Sequence, residues 1–142
     1  MKLQKNSRLA LYSVLDFAAD PQRHIPAAEI AERYGESAHH LAKVLSELAR
    51  AGIVESVRGV GGGYRFVANP KRLTLLDVIR LFEDLGEDGD GHPGADTPVD
   101  RALATVLAEI DQIARATFGS ITVATMLRLI ERQAAPRRDG RG

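Results

Sequence analysis

Arg58-Gly-Val-Gly-Gly-Gly-Tyr64 lies between Val54-Glu-Ser-Val57 and Arg65-Phe-Val67. Two short β-prone runs around a glycine cluster predict a hairpin with a flexible tip. Glycines at Gly59, Gly61, Gly62 and Gly63 let the backbone come close to another surface. Arginines at both ends, Arg58 and Arg65, favour an anionic one. A Walker loop is excluded because no Gly-Lys-Ser/Thr ending follows. A dinucleotide fingerprint is excluded because Tyr64 stands where a third glycine is needed, and a strand rather than a helix comes next.

The residues before the hairpin predict three helices. Ser7 to Ala19 is apolar nearly all round, as in a buried central helix, with Ser7 as its cap and Asp20-Pro21 as its end. Pro26 opens a two-turn helix, Ala27 to Tyr34, which Gly35 terminates. Ser37 caps a third helix from Ala38 to about Ala51, stopped by Gly52. In that helix Leu41, Val44, Leu45 and Leu48 follow the i, i+3, i+4, i+7 rule and face a core. His39, Lys43, Ser46 and Arg50 lie opposite, with His40 on the flank. Two helices joined by a tight turn and followed by a basic glycine-rich hairpin form the layout of a winged helix-turn-helix. A recognition helix meets the bases with its N-terminal residues, which singles out His39, His40 and Lys43. Read alone, that face is solvated with two incidental histidines; the turn before it and the hairpin after it favour the DNA-binding reading. Zinc binding by His39 and His40 is not expected, because adjacent helical positions diverge by ~100° and no further ligand is in evidence.

The chain has 142 residues, 44% apolar and only 5% aromatic, so aliphatic packing must dominate a modest core. No apolar run approaches the ~20 residues of a membrane span, and the N-terminus lacks a signal-peptide pattern. A soluble, cytoplasmic protein is expected. The absence of cysteine excludes disulfides, thiolate metal sites and cysteine nucleophiles. The net charge of zero conceals an asymmetry. Residues 1–72 carry 11 Lys and Arg against 7 acids, whereas residues 83–111 carry 1 Arg against 9 acids. The excess on the first part is mild, which points to salt-sensitive binding by a dimer.

Further along, Thr74 caps a predicted helix from Leu75 to Leu85, with Asp77 reaching back in a capping box. Residues 86–97 form an acidic, glycine-rich loop without EF-hand spacing. Its His92, with Asp88, Asp90 or Asp96, offers a set for a hard or borderline metal. A solvated loop is the preferred reading, and no metal site is assigned. Thr97 and Pro98 open the longest helix. Val99, Leu103, Val106, Ile110 and Ile113 repeat at steps of four and three, widened by Ala102, Leu107 and Ala114. This stripe is too short for a free-standing coiled coil and is read as a dimer interface, against the alternative of an ordinary amphipathic core helix. Gly119 ends it, Thr122 to about Gln133 forms a last helix, and residues 134–142 read as a disordered basic tail.

With these residues laid out, the chain resembles the Rrf-two family of bacterial winged-helix regulators. The motifs are Met1-Lys-Leu3, Glu29-Ile-Ala-Glu-Arg-Tyr34, Ser37-Ala-His-His-Leu-Ala-Lys-Val44 and Leu48-Ala-Arg-Ala-Gly-Ile-Val54, then the Arg58–Tyr64 stretch and Leu75-Leu-Asp-Val-Ile79. The resemblance implies homodimers on palindromic operators, with the third helix in the major groove and the wing at the minor groove. It adds wing contacts at Arg58, Gly59, Gly61 and Gly62, while Tyr64 is read as closing the hairpin onto the core. The family's cluster-bearing members hold three cysteines before the long helix. The corresponding places here are near Gly86, His92 and Pro98, so sensing through such a cluster is contradicted by the sequence.

The expected fold is mainly α with a small β-hairpin. A winged helix-turn-helix covers residues 1–85, the acidic loop 86–97, a dimerisation helix and short C-terminal helix 98–133, and a tail 134–142. The expected function is a homodimeric, sequence-specific DNA-binding transcriptional regulator, a repressor, with no cofactor assigned and an unknown effector. Its expected partner is double-stranded DNA bearing a palindromic operator, and no membrane is involved. Arg8, Lys43, Arg58 and Arg65 would hold phosphates, and Ser37, His39, His40 and Lys43 would lie at the bases. The rival is a winged-helix module that docks on protein and has lost specific DNA binding. Neither a serine elbow nor a His/acid metal motif supports an enzyme.

Overall fold

The computed structural model describes residues 3–59, 62–83 and 96–135. Six helices and one hairpin follow in order: α1 (Lys5–Ala19), α2 (Ala27–Tyr34), α3 (Ala38–Arg50), β1 (Val54–Val57), β2 (Gly63–Phe66), α4 (Leu75–Ile79), α5 (Pro98–Ser120) and α6 (Val123–Ala134). The fold is a mainly helical winged helix with a two-stranded antiparallel sheet, as the spacing of helices and glycines implied.

α1 runs through the middle of the core. Its Ala10, Val14 and Phe17 are buried with Ile30 of α2, with Leu41, Val44, Leu45 and Leu48 of α3, and with Val78 and Ile79 of α4. The apolar repeat of α3 therefore faces inward as its period required. Val123, at the start of α6, is buried in the same core, so the last helix returns to the winged domain. Tyr12 escapes the core by stacking on Tyr34, ring centroids 4.7 Å apart. The Tyr34 hydroxyl donates to Asp16 at 2.7 Å, and Arg33 pairs with the same carboxylate at 2.9 Å. These contacts tie α2 to α1.

Local chemistry sets the helix ends. Gly35 takes a left-handed conformation with φ 66°, and Glu36 N–H reaches back to Ala31 C=O at 2.8 Å, which closes α2. The capping box at Thr74 and Asp77 is formed in both directions. Thr97 caps α5 with Pro98 in its first turn, and Thr122 caps α6.

Three boundaries differ from the sequence reading: Gly119 does not end α5, which runs through it to Ser120, and the other two lie earlier in the chain. Ser7 is not a cap: α1 begins two residues earlier, and Ser7 is fully buried with no partner for its hydroxyl. Gln4 holds the N-cap position, and its N–H donates to the Glu83 carboxylate at 2.9 Å, a contact across 79 residues that no local pattern reveals. α4 is shorter than expected. After Ile79 the turn tightens, with Leu81 N–H donating to Val78 C=O and Phe82 N–H to Ile79 C=O. Residue 85, its expected end, lies outside the described residues.

The hairpin pairs Val54 with Phe66, Glu55 with Arg65, Ser56 with Tyr64 and Val57 with Gly63. Ile25 adds a third, one-residue strand: it exchanges backbone hydrogen bonds with Tyr64 at 2.8 and 2.9 Å. A Cβ on Gly63 would lie 2.6 Å from the Ile25 carbonyl, so only glycine permits this approach.

Candidate nucleic-acid interface

Short connections place α3 beside the N-terminal turn of α1. Lys5 on α1 pairs with Glu36 at 2.9 Å, in the turn before α3. That hydrogen bond holds the Glu36 carboxyl below its usual range. The Ser37 hydroxyl oxygen accepts His40 N–H at 3.1 Å and so starts α3. Ser37 is thus at the site as a cap, and its O–H remains able to donate outward. His39 and Lys43 are exposed on the outer face of α3. His40 is half-buried, and its Nε2 is shut off from solvent without a hydrogen-bond partner.

An open groove of about 490 Å³ runs along this face, lined by Asn6, His39, His40, Lys43, Glu47 and Phe82 among others. Asn6 comes from α1 and Phe82 from the turn after α4, so the groove is a product of tertiary packing. Neither residue, nor Glu47, was singled out by the sequence pattern. Only the fold brings Asn6 and Phe82 to α3.

The cations of α1, α3 and the hairpin divide into two groups. Lys5 pairs with Glu36, Arg50 with Glu47 at 3.0 Å, and Arg65 with Glu55 at 2.6 Å. Arg8, Lys43 and Arg58 are exposed and form no ion pair among the described residues. An unpaired surface cation keeps its charge available for a phosphate, whereas a paired one must first give up its partner. The structure therefore ranks Arg8, Lys43 and Arg58 ahead of Arg65. At the wing, Gly62 has an internal reason to be glycine: its N–H donates to Gly59 C=O at 2.9 Å, and a Cβ there would lie 2.4 Å from Val57 O. Gly59 has φ 111°, and Gly61 lies outside the described residues.

The apolar stripe expected at a dimer interface is also in view. α5 has no buried residue, and Val99, Leu103, Val106, Leu107, Ile110 and Ile113 are all at least half exposed. An apolar row of this length on a free helix is costly in water.

Residues 3–129 match the family model of Rrf2, described as an iron-dependent transcriptional regulator. The chain belongs to the Rrf2 family. It is a DNA-binding transcriptional regulator, not an enzyme. A relative from Rhodopseudomonas palustris bearing the name HTH-type transcriptional regulator BadM is 50% identical over 131 residues, covering 92% of this chain and 84% of that protein. IscR of Vibrio campbellii is 40% identical over 85 residues, or 59% of this chain and 51% of IscR. Among solved structures, T. potens IscR superposes with a TM-score of 0.77 at 27% identity, over 96% of this chain and 93% of that one. CymR of B. subtilis has the same fold, with a TM-score of 0.71 at 24% identity over 91% and 98% of the two chains.

The iron in the family description needs ligands. The chain contains no cysteine, so its donor set does not fit a thiolate-held cluster. Among the described residues no three His, Asp or Glu side chains come together as a metal set. Of the places that correspond to the family's cysteines, Gly86 and His92 lie outside the described residues, and Pro98 starts α5.

Proposed function

We propose that this Rrf2-family chain is a homodimeric repressor that binds a palindromic operator with α3 in the major groove and the hairpin at the adjacent backbone or minor groove. The observation that carries this reading is that Arg8, Lys43 and Arg58, on α1, α3 and the wing, are exposed and form no ion pair among the described residues. Three phosphate contacts per protomer give six per dimer, and a salt slope of roughly −5 in log K against log salt. Repression needs only that the dimer cover DNA used by the polymerase.

Dimerisation rests on the exposed stripe of α5, Val99, Leu103, Val106, Ile110 and Ile113, which a second copy would shield. A two-fold dimer calls for a two-fold operator. Regulation does not run through a cysteine-ligated cluster, since the chain offers no thiolate. No helix among the described residues is long and apolar enough to cross a membrane, in keeping with action on DNA in the cytoplasm.

Selection of bound sequences from a random DNA pool with the purified, metal-free protein tests this reading. An enriched palindrome is expected. Equal binding to random duplexes, or none, would favour the rival in which the winged helix serves a protein surface.

A further inference from the structure

Among the described residues, α5 meets the body of the protein at its C-terminal end. Residues 101–110 are exposed throughout, while the last turn meets α4. A Cβ built on Gly119 would stand 3.3 Å from Leu76 Cδ2 and 4.0 Å from Leu76 Cβ. Immediately beyond, the chain is locked in place. Leu75 N–H donates to Ile121 C=O at 2.9 Å, and Val123 N–H donates to Leu73 C=O at 2.8 Å, around the Thr74–Thr122 bridge. Phe118 and Ile121 pack against the core on the same joint. The take-off direction of α5 is therefore set within a few residues, and Gly119 lies against Leu76 of α4.

Glycine costs a helix about 1 kcal/mol relative to alanine. Gly119 lies within α5 and is not among the glycines with positive φ, so backbone conformation does not require it. What a larger residue would meet is Leu76, whose Cδ2 would have to give way by a few tenths of an ångström.

We propose that Gly119, through its contact with Leu76, is a specificity-determining residue that sets the spacing between the two operator half-sites. The proposal rests on the dimeric DNA-binding reading above. Val106, in the middle of the exposed stripe, lies 13 residues from Gly119, or ~20 Å along the helix axis at ~1.5 Å per residue. A change of ~10° in take-off angle moves that point by ~3.5 Å, close to the ~3.4 Å rise of one base pair. Two-fold symmetry applies the change to both arms. A side chain wedged between Gly119 and Leu76 that turned α5 by ~10° would thus shift the two-fold related half by about one base-pair rise.

The test uses a DNA pool with graded spacers between the selected half-sites, offered to the wild type, Gly119→Val and the double variant Gly119→Val/Leu76→Ala. The wild type is expected to prefer one spacing. Gly119→Val is expected to lose at least tenfold at that spacing and to gain at a spacing one or more base pairs away, with the half-site sequence unchanged. The double variant, with room restored at Leu76, is expected to return toward the wild-type spacing. A folded Gly119→Val that keeps the wild-type spacing and affinity overturns the proposal. If that variant does not fold, Gly119→Ala decides: discrimination between adjacent spacings should fall several-fold, and unchanged discrimination overturns the idea. A wild type that sediments as a monomer, or shows no spacing preference, defeats the dimer reading itself before any variant is compared.

Discussion

Replacing Ile110 by glutamate places a charge in the middle of the proposed interface, and the monomer should tolerate it. Ile110 is 51% exposed and α5 has no buried residue, so the substitution removes no core contact within one chain. Its cost falls on association. Full burial of such a side chain stabilises by about 1.5–3 kcal/mol, and half of that remains to be gained on dimerisation. The lost apolar term is thus about 1 kcal/mol per protomer, or about 2 kcal/mol per two-fold dimer. Each carboxylate carried into the interface adds a desolvation cost of at least about 2 kcal/mol. It would also stand between Glu109 and Asp111, in a neighbourhood already negative. The total, about 6 kcal/mol, weakens dimerisation by roughly 10⁴-fold. Sedimentation across a concentration series measures this, with circular dichroism as the check on folding. Ile110→Ala should lose only the apolar part, about 2 kcal/mol or roughly 30-fold. A variant Ile110→Glu that dimerises as tightly as the wild type would remove this face of α5 from the interface.

Three further outcomes follow from named contacts. Lys43→Ala, if the side chain holds a phosphate, should make the salt slope of operator binding shallower by ~0.9 per contact, or ~1.8 for a dimer; if it reads a base, binding should instead fall by ~1–3 kcal/mol per site with the slope kept. An unchanged affinity and slope would take Lys43 out of the site. Gly63→Ala forces a Cβ to within 2.6 Å of the Ile25 backbone and should cost about 1–3 kcal/mol as overpacking, seen as a lower midpoint in thermal unfolding. Burial, and then the hydrogen bond to Asp16, push the Tyr34 phenol up to about 12 from an ordinary 10.0. Because the folded value is raised, the stability linked to this proton is present below pH 10 and is lost as the pH rises from 10 towards 12. Ultraviolet titration should show a late-ionising tyrosine that is absent in Tyr34→Phe; a titration unchanged by that substitution would contradict the contact.

Much of this protein was determined by its sequence alone. Helix period placed Leu41, Val44, Leu45 and Leu48 inside and left His39 and Lys43 outside, because a regular helix fixes which residues share a face. Gly35, Ser37, Thr74, Thr97 and Thr122 marked ends correctly, since caps act through bonds to residues three or four away. The hairpin was legible from its glycines. The tertiary structure decided what depends on distant partners. Ser7, taken for a cap, is buried inside α1, whose N-cap residue Gln4 is bonded by Glu83 from 79 residues away. Ile25 became a strand only because Gly63 let it approach, and a one-residue strand has no period to read. Asn6 and Phe82 joined the groove beside α3 through packing alone. Charge count made Arg58 and Arg65 equals, and cross-strand register set them apart: Arg65 faces Glu55, whereas Arg58 lies beyond the paired residues and has no ion-pair partner among the described residues.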